Sequence, residues 1–121
     1  MAMTIEQYLP LFVAAVFLEL VIYGMFLHPI FSRMQIFGVC FLLNVSTHPL
    51  VCLVFPLWIE KHSWIPAELF AWVVEALILL ALTRGVAQYK MHWTKAFVIS
   101  LAANAFSAGV GLLFFSAWPI A

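Results

Sequence analysis

The sequence is short of charge. Lys, Arg, Asp and Glu make up 8% of its 121 residues, five basic and five acidic, and the formal net charge is zero. An ordinary soluble domain carries about 25% charged and about 45–50% apolar residues. Here 67% are hydrophobic and the mean hydropathy is +1.14. Ten charges cannot cover a soluble surface of this size, and disorder is excluded because disordered segments are poor in apolar and aromatic residues. A neutral chain offers no basic surface, so nucleic acid is excluded as a partner. No Lys or Arg precedes the first apolar run and no clear small-residue cleavage site follows it, so no cleaved signal peptide is expected. The two cysteines, Cys40 and Cys52, fall twelve residues apart in one predicted helix, about 18 Å along its axis, too far to bridge. No phosphate-cradling loop, no Cys-x-x-Cys and no His-Glu-x-x-His occurs. No nucleophile, base and orienter stand at a recognisable spacing.

What is present is long apolar runs. Membrane β-strands would alternate in segments of about 10 residues, whereas these runs are continuous and near the roughly 20 residues that a helix needs to cross a bilayer. They predict an all-α polytopic membrane four-helix bundle, one transmembrane domain over residues 1–121. The spans are expected at about 8–28, 35–58, 66–83 and 93–118. Arg33 lies between spans 1 and 2, and Arg84, Lys90 and Lys95 lie between spans 3 and 4 or at the start of span 4; the other side has only Lys61. The positive-inside rule puts those two loops in the cytoplasm and both termini outside. Tyr8, Trp58, Trp64 and Trp118 are expected as an outer aromatic belt, Tyr89 and Trp93 as an inner one. The lipid bilayer is therefore the first partner, and with no targeting segment read, a prokaryotic inner membrane is the expected location.

The few polar residues inside the spans share one depth. At about 1.5 Å per residue, Glu19, Asn44, His48, Glu75, Asn104 and Ser107 fall about 14–21 Å from the outer face, near the middle of a hydrocarbon core about 30 Å thick. Asn44 and His48 are i,i+4 neighbours with Thr47 adjoining, and Ser100, Asn104 and Ser107 follow i, i+4, i+7. Each set therefore lies on one helix face. Tyr23 sits one turn below Glu19, and Glu68 lies seven residues before Glu75. Pro49 cannot donate to the carbonyl of Val45, which adds an acceptor near the Asn44–Thr47 turn. An ionised carboxylate facing lipid is costly, so both mid-span glutamates are expected to point into the bundle.

The order of these residues reads as a duplication. Span 1 carries Glu19 and span 2 Asn44-Val45-Ser46-Thr47; span 3 carries Glu75 and span 4 Asn104-Ala105-Phe106-Ser107. The Glu-to-Asn separations are 25 and 29 residues, a difference that loop length absorbs. Both hairpins start outside, so the repeats would be parallel, about an axis along the membrane normal. His48 has Ala108 as its counterpart and stands outside the repeat.

Glu19, then Asn44-x-x-Thr47-x-Pro49, then Glu68 and Glu75, then Ser100-x-x-x-Asn104-x-x-Ser107 resembles a group of small four-span prokaryotic membrane proteins. The likeness covers nearly the whole chain and implies a fold, not an activity. Glu19 is also placed similarly to the span-1 glutamate with which small multidrug resistance transporters exchange protons for cationic drugs. The second glutamate, the asparagines and the charge asymmetry depart from that pattern. Four-span fluoride channels use a membrane asparagine, but their glycine-rich surroundings are absent around Asn44 and Asn104.

Asn44, Thr47, Ser100, Asn104 and Ser107 have a plain reading as interhelical hydrogen bonders, and Ala103, Ser107 and Gly111 mark span 4 as a close-packing helix. An intramembrane carboxylate is by default a functional hypothesis. The leading expectation is that Glu19, Glu75, His48, Asn44, Asn104, Thr47 and Ser107 form a buried site that binds or conducts a proton or small cation. Glu19 and Glu75 would supply charge or carry protons, His48 would relay, and the amides and hydroxyls would orient them. One alternative is a non-catalytic accessory subunit of a larger membrane complex, the cluster only fixing helix register. Another is a metal-dependent membrane enzyme, with Glu19, His48 and Glu75 binding a divalent metal such as Zn²⁺, Mn²⁺ or iron. Four spans enclose little volume, so a homo-oligomer or docking on a larger complex is expected.

Overall fold

The computed structural model describes residues 4–50 and 64–117. They form four α-helices and, among the described residues, no strand: α1 (Ile5–Leu27), α2 (Arg33–Pro49), α3 (Trp64–Gly85) and α4 (Trp93–Ala117). Four helices and an all-α fold agree with the expectation from the apolar runs. The second half of the expected span 2, with Cys52, Pro56, Trp58 and Lys61, lies outside the described residues, as does Trp118.

Local chemistry sets the helix ends. Thr4 caps α1 by accepting the Gln7 amide N–H at 3.3 Å, while the Gln7 side chain accepts the Thr4 N–H at 3.1 Å. Ser32 and Gln35 repeat this reciprocal box on α2 at 3.2 and 2.9 Å, so two of the four orphan donors at each start are satisfied. Ser32 explains why α2 begins at Arg33, before the first strongly apolar residue. At the start of α4 the His92 Nδ1 accepts the Thr94 N–H at 3.2 Å. Pro29 ends α1, and the chain turns with Ile30 and Phe31 both donating to the Leu27 carbonyl. After α3 the turn runs through Gln88, whose φ of 53° is left-handed, and the Tyr89 N–H closes back onto the Thr83 carbonyl at 2.8 Å.

The helices pack as a ring in chain order, α1 on α2, α2 on α3, α3 on α4 and α4 on α1. That arrangement leaves α1 facing α3, and α2 facing α4, across the middle. The half of the bundle nearest the two short loops is filled by apolar side chains, among them Leu27, Phe31, Ile36, Val39, Met91 and Ile99, all buried. Above it lie the buried polar groups Glu19, Asn44, Thr47, Glu75, Ser100 and Asn104.

The outward faces are the reverse of a soluble bundle. On α1, Ile5, Leu9, Val13, Phe17, Val21 and Met25 form an exposed stripe at four-residue spacing, and Ile65, Leu69, Val73 and Leu77 do the same on α3. Met34, Phe37, Phe41 and Val45 are exposed on α2. Two helices, Ile5–Leu27 and Ile65–Gly85, are long and apolar enough to cross a membrane, with hydropathies of 2.2 and 2.0. Only 22% and 28% of those stretches are buried, unlike the core helix of a soluble protein. Two such helices, rather than the four expected, are found among the described residues. That count covers the described residues alone, and α2 is described for 17 residues, Arg33–Pro49. Tyr8 is buried, its ring tilted by 40° against Phe12 at 5.8 Å. Tyr89 and Trp93 are exposed at the loop end, and Lys95 stands 5.9 Å over the Tyr89 ring.

Leu77 and Leu79 separate the two faces of α3, one 54% exposed and the other wholly buried. Leu79→Ala is expected to cost about 2–5 kcal/mol in unfolding free energy, and Leu77→Ala to stay within about 0.5 kcal/mol, read by denaturant titration of the purified protein.

Candidate functional site

Glu19 on α1 and Glu75 on α3 are the chemically distinctive pair, 2% and 1% exposed. They come from helices that are diagonal in the ring, so both side chains reach the middle, where the two carboxyls face each other. Neither has a Lys, Arg or His partner among the described residues. The basic residues Arg33, Arg84, Lys90 and Lys95 lie at the loop end of the bundle.

Glu75 is fully engaged. The Tyr23 hydroxyl, from α1, donates to its Oε1 at 3.2 Å, and the Thr47 hydroxyl, from α2, stands 3.2 Å from its Oε2. Thr47 also lies 3.0 Å from the Leu43 carbonyl and divides its single proton between the two acceptors. The Asn104 amide faces Glu75 from α4. Three helices thus converge on one carboxyl of the fourth. Glu19 is different: the Asn44 amide faces it, yet its Oε1 is buried and has no hydrogen-bond partner among the described residues. A buried acceptor without a partner costs roughly 1–3 kcal/mol, so this is an atom the fold does not need.

Around the pair runs a set of matched bonds. Cys40 on α2 donates its Sγ–H to the Val16 carbonyl of α1 at 3.4 Å, and Ser100 on α4 donates its hydroxyl to the Trp72 carbonyl of α3 at 2.9 Å. Val16 and Trp72 each lie three residues before a buried glutamate. The Asn44 Nδ2 then donates to the Cys40 carbonyl, and the Asn104 Nδ2 to the Ser100 carbonyl, both at 2.9 Å. The Trp72 indole N–H completes the α3–α4 seam by donating to the Phe97 carbonyl at 2.7 Å.

Of the expected site residues, Glu19, Glu75, Asn44, Asn104 and Thr47 are brought together. Ser107 is only half-buried, and Ser100, one turn deeper than Asn104, makes the interhelical bond instead. His48 does not join the carboxyls. Its ring lies in the α1–α2 seam, 5.4 Å from Tyr8 and 5.7 Å from Phe12. The expected Glu19–His48–Glu75 metal set is therefore not assembled, and no group of three His, Cys, Asp or Glu able to hold a metal occurs among the described residues. Tyr23 is the functional contact that spacing alone understated: i+4 from Glu19, it shares that face, but its hydroxyl spans the bundle to the other glutamate. Cys40 and Trp72 carry no such signal, since a thiol or an indole on an apolar helix reads as core.

The chain matches no protein-family model, no curated protein and no solved structure.

Replacing each glutamate by an apolar side chain of similar length should separate their roles in folding. Glu75→Met leaves the Tyr23 hydroxyl buried without its acceptor and is expected to cost about 1–3 kcal/mol more than Glu19→Met, which removes the orphaned oxygen; paired unfolding titrations read the difference.

Proposed function

We propose that this chain is a small integral membrane protein, a bundle of two parallel pseudo-symmetric helical hairpins, whose facing carboxyls Glu19 and Glu75 bind a proton or small cation. The observation that carries this reading is two wholly buried carboxyls side by side with no basic partner among the described residues. Like charges so placed in a low-dielectric interior cannot both persist, so a proton or a cation has to sit with them. Polar residues kept in so apolar a chain are costly, and hydrogen bonding between helices is available more cheaply from Asn, Ser or Cys, which this bundle also has.

Support for the membrane setting comes from the exposed apolar stripes on α1, α2 and α3, which water would not tolerate over such a length, and from helices that satisfy their own backbone groups. The resemblance drawn from the glutamate and asparagine motifs agrees with it and favours a prokaryotic cell membrane, the loops with Arg33, Arg84 and Lys90 facing the cytoplasm. Lipid, a second copy or a larger membrane complex would cover the stripes. Binding is favoured over open conduction because Leu27, Phe31, Met91 and Ile99 fill the loop-side half of the interior. The bonds from Cys40 to Val16 and from Ser100 to Trp72 favour a second, structural reading for the polar residues outside the carboxyl pair: they lock α1 to α2 and α3 to α4.

Infrared spectra of the protein in lipid bilayers, recorded across a pH series, test the proposal. A protonated-carboxyl stretch is expected that fades as pH rises and is missing from the Glu19→Gln/Glu75→Gln variant. A spectrum with no titrating buried carboxyl, or a band that survives in that variant, contradicts it.

A further inference from the structure

The two glutamates are not equivalent, and the repeat shows where they part. Superposing the hairpins by number sets residues of α1 against those 56 further on in α3, and residues of α2 against those 60 further on in α4. The match holds in detail: Ala15 and Ala71 are buried alike, as are Leu27 and Thr83. The hydrogen bonds of Cys40 and Ser100, and of Asn44 and Asn104, fall in register as well.

Two of the differences between the halves lie beside the carboxyls. Tyr23, whose hydroxyl reaches Glu75 Oε1, has Leu79 as its counterpart; both side chains are wholly buried. A leucine at that point has no proton to offer Glu19. Thr47, beside Glu75 Oε2, has the half-buried Ser107 as its counterpart. The buried atom left without a partner among the described residues is Glu19 Oε1, the position that, by the repeat, a hydroxyl at residue 79 would fill. The orphaned oxygen is therefore the direct consequence of one side-chain difference between the halves.

From this we infer that Glu19 is the carboxyl that takes up and releases a proton, and that Glu75, clamped by Tyr23 and Thr47, is its fixed partner. The inference rests on the proposed binding role of the pair and adds which member exchanges. A carboxylate with hydroxyls at both oxygens gains little from a proton, because both oxygens are already stabilised as acceptors. Glu19 has an oxygen that no donor among the described residues reaches, with the Asn44 amide facing the carboxyl and Glu75 supplying the negative neighbour. A proton suits the site better than a hard metal ion, which takes about six or more oxygen ligands, whereas both Glu75 oxygens are committed. Tyr23 and Thr47 are positioning residues, and Leu79 is the residue that keeps the site asymmetric.

Dicyclohexylcarbodiimide, an apolar reagent that adds to protonated carboxyls in water-poor surroundings, reads this residue by residue. The full chain in lipid vesicles is treated across a pH series and the modified glutamates are located by peptide mass spectrometry. Glu19 is expected to react at least about tenfold faster than Glu75, the factor that one charge-assisted hydrogen bond of about 1.4 kcal/mol or more corresponds to, with the rate falling as pH rises. In Tyr23→Phe/Thr47→Val, Glu75 is expected to become reactive as well. Preferential modification of Glu75, or equal modification of both in the unaltered chain, overturns the assignment while leaving the shared site standing. Failure of either to react at any pH overturns both the assignment and the binding role it rests on.

Discussion

Two carboxyl groups meeting in the interior of an apolar bundle is the constraint to which the remaining structure answers. A lone buried charge is prohibitively expensive, and a buried pair without a cation is tolerated only when hydroxyls and amides stand in for water. The bundle supplies them from three of its four helices: Tyr23 from α1, Thr47 and Asn44 from α2, and Asn104 from α4. Their own spare groups are satisfied by carbonyls one turn away, so the polar layer closes on itself and exposes little to the outward stripes. Among the described residues, the buried oxygen it does not close on is Glu19 Oε1. A fold that satisfies every neighbour and leaves one acidic oxygen free is carrying a cost with no structural return, and such costs concentrate where function is.

The scaffold around this layer is simple. Capping boxes at Thr4 and Ser32 start the first two helices, short turns close both hairpins, and large apolar side chains seal the loop-side half. Cys40 and Ser100 bring α2 onto α1 and α4 onto α3 at the same height, three residues from each glutamate. Duplication of one hairpin is an economical route to this arrangement. Such a repeat would place two acids opposite one another by symmetry, and the differences at Tyr23/Leu79 and Thr47/Ser107 would make them unlike. At the matched points the donor is a thiol in one half and a hydroxyl in the other.

Much of this was legible in the residues. Depth along a helix follows from counting, so Glu19, Glu75, Asn44 and Asn104 could be placed at one level, and cost alone turned both acids inward. The direction in which a side chain leaves the helix is less secure. His48 has the right depth, yet one residue past Thr47 it rotates into the α1–α2 seam against Tyr8 and Phe12, so the three-ligand metal set dissolves. Tyr8 shows the same limit: position near a helix end gives its level, whereas only the packing shows that its ring joins that seam. The reach of Tyr23 was hidden because spacing reports neighbours on one helix and is silent about contacts across the diagonal of a ring. Helix α2 showed how Ser32 and Gln35, unremarkable in composition, outweigh hydropathy in fixing where a helix begins.

The most direct measurement of the central claim is a through-space carboxyl–carboxyl correlation between Glu19 and Glu75, in magic-angle-spinning NMR spectra of glutamate-labelled protein in lipid bilayers. The account predicts a cross-peak between two carboxyl carbons that disappears when either glutamate is replaced by Ala. Spectra with no such contact, or with one that survives the loss of Glu19, would mean that the two acids do not share the interior of the bundle.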